Sequence, residues 1–124
     1  MKFQFTYGEY KEFESDLIIM GFKKYNGKLH SEDYYLAKTI HRTDPDEDGD
    51  TRSDLQLFIC VYDFSKYPRF DQPDFMHLQV EIHISRNMDE RIDLVVNDKI
   101  CKSIRDLEQF AFKFYDFITS NVPE

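Results

Sequence analysis

The chain has 124 residues, 41% of them hydrophobic and 32% charged, with a formal net charge of -8. That length suits one domain around one core, read here as a single α+β domain over residues 1–124, and the composition excludes disordered, fibrous and collagen-like chains. With 16 basic against 24 acidic side chains, neither nucleic acid nor an anionic membrane is an expected partner, because both repel a negative surface.

The first predicted element is a helix over residues 7–20. Thr6 and Glu9 have the spacing of a capping box, and Phe5 and Tyr10 occupy the hydrophobic-staple positions. Phe13, Leu17 and Met20 follow at helical steps. Gly21 stands where a left-handed cap ends a helix, with Phe22 placed to fold back on Leu17. Residues 23–33, which contain Asn26-Gly27, read as either a short hairpin or a plain connection.

Four segments of period-two alternation come next. Over 34–42, Leu36 and Ile40 lie on one face and Tyr35, Ala37, Thr39 and His41 on the other. Over 54–64, Leu55, Leu57, Ile59 and Val61 oppose Phe58, Cys60, Tyr62 and Phe64, so this strand is apolar on both sides and is expected to be central. Over 75–86, Met76, Leu78, Val80, Ile82 and Ile84 face inward, and His77, Gln79, Glu81 and His83 outward. Over 91–98, Ile92, Leu94 and Val96 share a face, and the short turn before it makes the last two strands a hairpin. Ser103 and Asp106 then cap a second amphipathic helix, over 103–119, with Ile104, Leu107, Ala111, Phe114 and Ile118 as its stripe. The expected architecture is α-β-β-β-β-α: a four-stranded antiparallel meander with the N-terminal and C-terminal helices packed on one face.

Leu57 to Tyr62, the longest apolar run, is far short of the ~18 residues that cross a bilayer. Residues 1–5 run straight into charged sequence without the apolar stretch of a signal peptide. Cys60 and Cys101 are too few and too far apart for a disulfide framework or a zinc site, so both are read as reduced thiols. A cytoplasmic protein is the expectation.

Three candidate sites emerge. Residues 44–54 carry six acids and one Arg, a net of -5 that leaves only -3 for the rest of the chain. Asp44, Asp46, Asp48, Gly49 and Asp50 follow the opening of a calcium loop, which needs hard oxygen ligands at alternate positions. Arg52 and Leu55 stand at its ninth and twelfth positions, so the bidentate closing Glu is missing. A solvated turn is the stronger reading, and no functional metal or cofactor is expected. The second candidate is the outward sheet face, where Tyr35, His41, Phe58, Tyr62, His77, Glu81 and His83 would gather into an aromatic and polar surface for a partner. On that face His83 falls opposite Asp93. The competing arrangement covers the face with residues 63–74, through Phe64, Tyr67 and Phe70. The third candidate, Cys60 with His77 as base, needs an exposed electropositive pocket that a mid-strand cysteine in an acidic chain does not have.

These features favour a non-enzymatic interaction domain. A protein partner, basic where it meets Asp46, Asp48 and Asp50, would bind through the open sheet face, the acidic hairpin, or both. The alternative is an acidic inhibitor or immunity-type protein that blocks the basic site of a nuclease or another nucleic-acid enzyme.

Overall fold

The computed structural model describes residues 2–27, 32–42, 53–64, 75–86, 90–97, 99 and 102–120. In chain order the elements are β1 (Gln4–Thr6), α1 (Tyr7–Ile19), β2 (Lys23–Tyr25), β3 (Tyr34–Arg42), β4 (Ser53–Asp63), β5 (Phe75–Arg86), β6 (Glu90–Val96) and α2 (Ile104–Ser120). The α+β class, the antiparallel sheet and the two helices agree with the sequence reading. The strand number does not: among the described residues the sheet has six strands in the order β1-β5-β4-β3-β2, with β6 also paired to β5. The two additional strands, β1 and β2, are three residues each, too short for period-two alternation to register. β4 sits between β5 and β3, the central position that its two apolar faces require.

The short strands are defined by their partners. β1 runs antiparallel to the start of β5, with Phe5 opposite Met76, and β2 runs antiparallel to β3, with Tyr25 opposite Tyr35. A two-residue Asn26-Gly27 turn would have set Tyr25 against Lys28, so that dipeptide does not set the register of this hairpin. Asp33, just before β3, bonds instead to β4. Its N–H donates to the Val61 carbonyl at 2.9 Å, and its Oδ2 accepts the Asp63 N–H at 2.8 Å.

The chain packs as two compact units, one of residues 2–38 and 58–80, the other of residues 1, 39–57 and 81–124. In the first unit α1 begins as its capping residues require. Thr6 Oγ1 accepts the Glu9 N–H at 3.4 Å, the Glu9 carboxylate turns back onto the Thr6 hydroxyl, and Phe5 meets the edge of Tyr10 at 6.2 Å. Lys2 also pairs with Glu9, and these hydrogen bonds hold the Glu9 carboxyl below its ordinary value. The helix ends in a Schellman motif: Phe22 N–H donates to Leu17 O and Gly21 N–H to Ile18 O, with Gly21 at φ 102°. Leu17 and Phe22 are both buried, the apolar clasp that accompanies this motif.

The buried stripe of α1 is Tyr10, Glu14 and Leu17, whereas Met20 is exposed. Glu14 is held there by neighbours: it accepts from the Tyr10 hydroxyl and pairs with Lys24 at 3.4 Å and Lys11 at 3.7 Å. Burial pushes the Tyr10 hydroxyl, and that of adjacent Tyr34, well above the ordinary phenol value, so both stay protonated. Leu36, Ile59, Val61, Met76, Leu78 and Val80 complete this core.

In the second unit the buried apolar residues are Leu55, Leu57, Ile82, Ile84 and Val96 of the strands and Ile104, Leu107, Ala111 and Tyr115 of α2. The helical stripe therefore continues through Tyr115, while Phe114 and Ile118 are half-buried. Ser103 caps α2 by accepting the Asp106 N–H, and Asp106 accepts the Lys102 N–H. Arg42 and Asp54, paired at 3.3 Å, close the base of the β3–β4 connection. The acidic residues Asp44, Asp46, Asp48 and Asp50 of that connection lie outside the described residues, as do Tyr67, Phe70 and Cys101. Among the described residues no helix is long and apolar enough to cross a membrane.

Candidate functional site

Alternation along β3, β4 and β5 sets Tyr35, Phe58, Tyr62 and His77 on one side of their strands, and within the first unit their rings meet in two groups. Tyr25 stacks on Tyr35 at 5.1 Å and Tyr35 meets Phe58 at 5.7 Å. Tyr62, Phe64 and His77 form a triangle with centroid separations of 6.1–6.3 Å. Together they make an aromatic row across β2, β3, β4 and β5. Phe58 is its buried footing at 9% exposure, Tyr25 is exposed, and Tyr35, Tyr62, Phe64 and His77 are half-buried. Offset and tilted ring pairs at these distances stabilise beyond simple area burial, so the row is held in shape before anything touches it. Burial lowers the affinity of the His77 imidazole for its proton, which presents a neutral ring at physiological pH. Tyr25 carries no sequence signal for this position, since its place depends on the β2–β3 register. Phe64 lies against Tyr62 and His77.

The other residues expected on this surface go elsewhere. His41 meets Tyr115 and Phe112 of α2 in T-shaped contacts, at 5.1 and 6.2 Å. Glu81 and His83 are only 2% exposed, so neither belongs to an open face. Within the second unit they form a charged cluster with β6. His83 Nε2 lies 3.1 Å from Glu81 Oε1, and its Nδ1 lies 3.7 Å from Asp93 Oδ1. The expected His83–Asp93 pair is thus present. Arg91 donates to Asp93 Oδ2 from Nη2 at 2.8 Å and from Nε at 3.2 Å, which raises the guanidinium further above its already high ordinary value. Period two explains the arrangement: residues 81 and 83 project to the same side of β5, and residues 91 and 93 to one side of β6. Glu81, His83 and Asp93 each offer one atom that could ligate a metal ion, all within 4.8 Å of one another.

Cys60 is fully buried, which removes the exposed thiolate that a cysteine nucleophile requires. Compared with known protein families, with characterised proteins and with solved structures, the chain matches none.

Proposed function

We propose that this protein is a non-enzymatic interaction domain and that the aromatic row binds a protein partner. The observation that carries the reading is the pair of ring groups on one side of these strands, Tyr25, Tyr35 and the buried Phe58 in one and Tyr62, Phe64 and His77 in the other. Tyrosines on a rigid sheet offer large contact area at small conformational-entropy cost. The partner that fits offers apolar side chains to the rings and basic groups to the surrounding surface, because the chain carries a net charge of -8. A cytoplasmic setting belongs to the same proposal.

The acidity also suits the alternative reading, an inhibitor or immunity-type protein seated on the basic site of a nucleic-acid enzyme. Concentration of -5 within residues 44–54 favours a local basic contact, since a nucleic-acid mimic would spread its charge over a longer surface. The test is affinity capture from the native cell with the wild type and with a Tyr35→Ala/Tyr62→Ala double variant in parallel. The proposal expects a stoichiometric protein that the double variant fails to retain. Equal retention by both would remove the aromatic row from the account, and recovery of a nuclease whose activity falls on binding would establish the alternative.

A further inference from the structure

The Glu81, His83 and Asp93 cluster has the composition and placement of a metal site, and it owes nothing to the aromatic row. Glu81 and His83 are two apart on one strand, so both side chains leave the same face of β5, and Asp93 comes from the adjacent strand β6. All three are thus carried by hydrogen-bonded strands rather than loops, the kind of scaffold that holds ligands in place before an ion arrives.

We infer that Glu81, His83 and Asp93 bind a divalent first-row transition metal ion, with Arg91 as the positioning residue for Asp93. Ligand bonds of about 2.0–2.2 Å in tetrahedral geometry put two donor atoms roughly 3.3–3.6 Å apart, and His83 Nε2 and Glu81 Oε1, now 3.1 Å apart, need only separate slightly. The donor atoms of all three residues lie within 4.8 Å of one another, and because Asp93 Oδ1 is nearest the other ring nitrogen, Nδ1, at 3.7 Å, binding one ion requires the Asp93 carboxylate or the His83 ring to turn. Arg91 occupies Asp93 Oδ2 and leaves Oδ1 directed at His83. This is the outer-shell support that fixes a monodentate carboxylate.

The charges also fit. Two carboxylates cancel the charge of a divalent ion while the imidazole binds in its neutral form. Burial of Glu81 and His83 supplies an environment that strengthens those bonds, and the side chain of Asp93, 34% exposed, keeps one side open to coordinated water. An imidazole with two carboxylates selects zinc, cobalt or manganese over calcium and magnesium, which take all-oxygen shells. The selectivity separates this cluster from residues 44–50, whose acids offer oxygen alone.

The experiment is isothermal titration of the full chain with Zn2+ alone and then Ca2+ alone, followed by Co2+ titration read by its visible absorption. The wild type, Asp93→Asn, His83→Gln and an Asp46→Asn/Asp48→Asn/Asp50→Asn variant are compared, with folding checked by circular dichroism. The inference expects one Zn2+ site preferred over Ca2+ by at least about tenfold and a Co2+ spectrum that includes nitrogen ligation. It expects affinity reduced at least about tenfold in Asp93→Asn, abolished in His83→Gln and unchanged in the triple variant. Should His83→Gln fail to fold, Asp93→Asn and the movement of the His83 ring resonances on adding Zn2+ to the wild type decide the matter. Absence of Zn2+ binding below about 1 mM, binding unaffected by Asp93→Asn, or binding lost in the triple variant would overturn the inference and leave the cluster as an ion-pair network.

Discussion

The aromatic row and the charged cluster each take side chains from one side of β5, yet their surroundings differ. At His77 the β5 side chain is half-buried among Tyr62 and Phe64. At Glu81 and His83, four and six residues further on, the side chains are 2% exposed and tied to each other and to Asp93. What separates them is the neighbouring chain. Rings surround His77, whereas β6 brings Asp93 and Arg91 to the other pair. Period two therefore determines which side of a strand a residue occupies, and its neighbours determine whether that side is wet.

The contrast has consequences for stability, beginning with the largest. Replacing His83 by Ala removes a buried hydrogen-bond partner of Glu81 and opens a void, and should cost about 3–5 kcal/mol from the two losses together. His77→Ala removes part of a half-exposed ring contact and should cost about 1 kcal/mol or less. Urea unfolding of the two variants gives the comparison directly, and equal losses would erase it. A Glu81→Leu/His83→Leu double variant sharpens the point. It is expected to be more stable than His83→Ala, because apolar groups of similar size replace both members of the buried hydrogen bond.

An effect of intermediate size is expected at Asp33, which bonds through its backbone to Val61 and through its carboxylate to Asp63. Asp33→Ala deletes the charge-assisted bond and should cost about 1.5–3 kcal/mol. Asp33→Asn, which keeps an acceptor, should lose less. Hydrogen exchange at the Asp63 amide would localise the change to the end of β4.

The smallest effect is on pH dependence. Burial lowers the folded-state value of His77 beneath its ordinary 6.5, so the unfolded chain binds the proton more readily than the folded one. The stability that follows is fully present above pH 6.5 and is lost as the pH falls through and below it. His77→Gln should accordingly flatten the slope of Tm between pH 7.5 and 5, and the His77 ring resonances should titrate with a midpoint below 6.5. A midpoint above 6.5 would mean that the imidazole is stabilised in its charged form and that the surface it presents is cationic.

Much of this fold was legible in the sequence because its long elements carry strong local signals. β3 and β5 have the bounds that alternation assigns them, and Thr6 and Gly21 mark the two ends of α1. β1 and β2 were hidden, since three residues hold no periodicity and their existence depends on Met76 and Tyr35 far along the chain. The sites show the same division. That Tyr35, Phe58, Tyr62 and His77 share a side follows from parity alone. That Tyr25 joins them, that His41 turns to Tyr115, and that Glu81 and His83 are buried all depend on tertiary neighbours, which parity does not encode.

The central claim is that the ring row, rather than the acidic segment, holds the partner. Its most direct test is the dissociation rate of the captured complex at two salt concentrations, for the wild type, Tyr62→Ala and the Asp46→Asn/Asp48→Asn/Asp50→Asn variant. Charges screened over about 8–10 Å act mainly on encounter, while desolvated rings act on residence. Tyr62→Ala should therefore speed dissociation by roughly thirtyfold, corresponding to about 2 kcal/mol for an interface anchor. The triple variant should slow association and flatten its salt dependence with dissociation nearly unchanged. Dissociation unaffected by Tyr62→Ala, together with binding lost at both salt concentrations in the triple variant, would contradict the account.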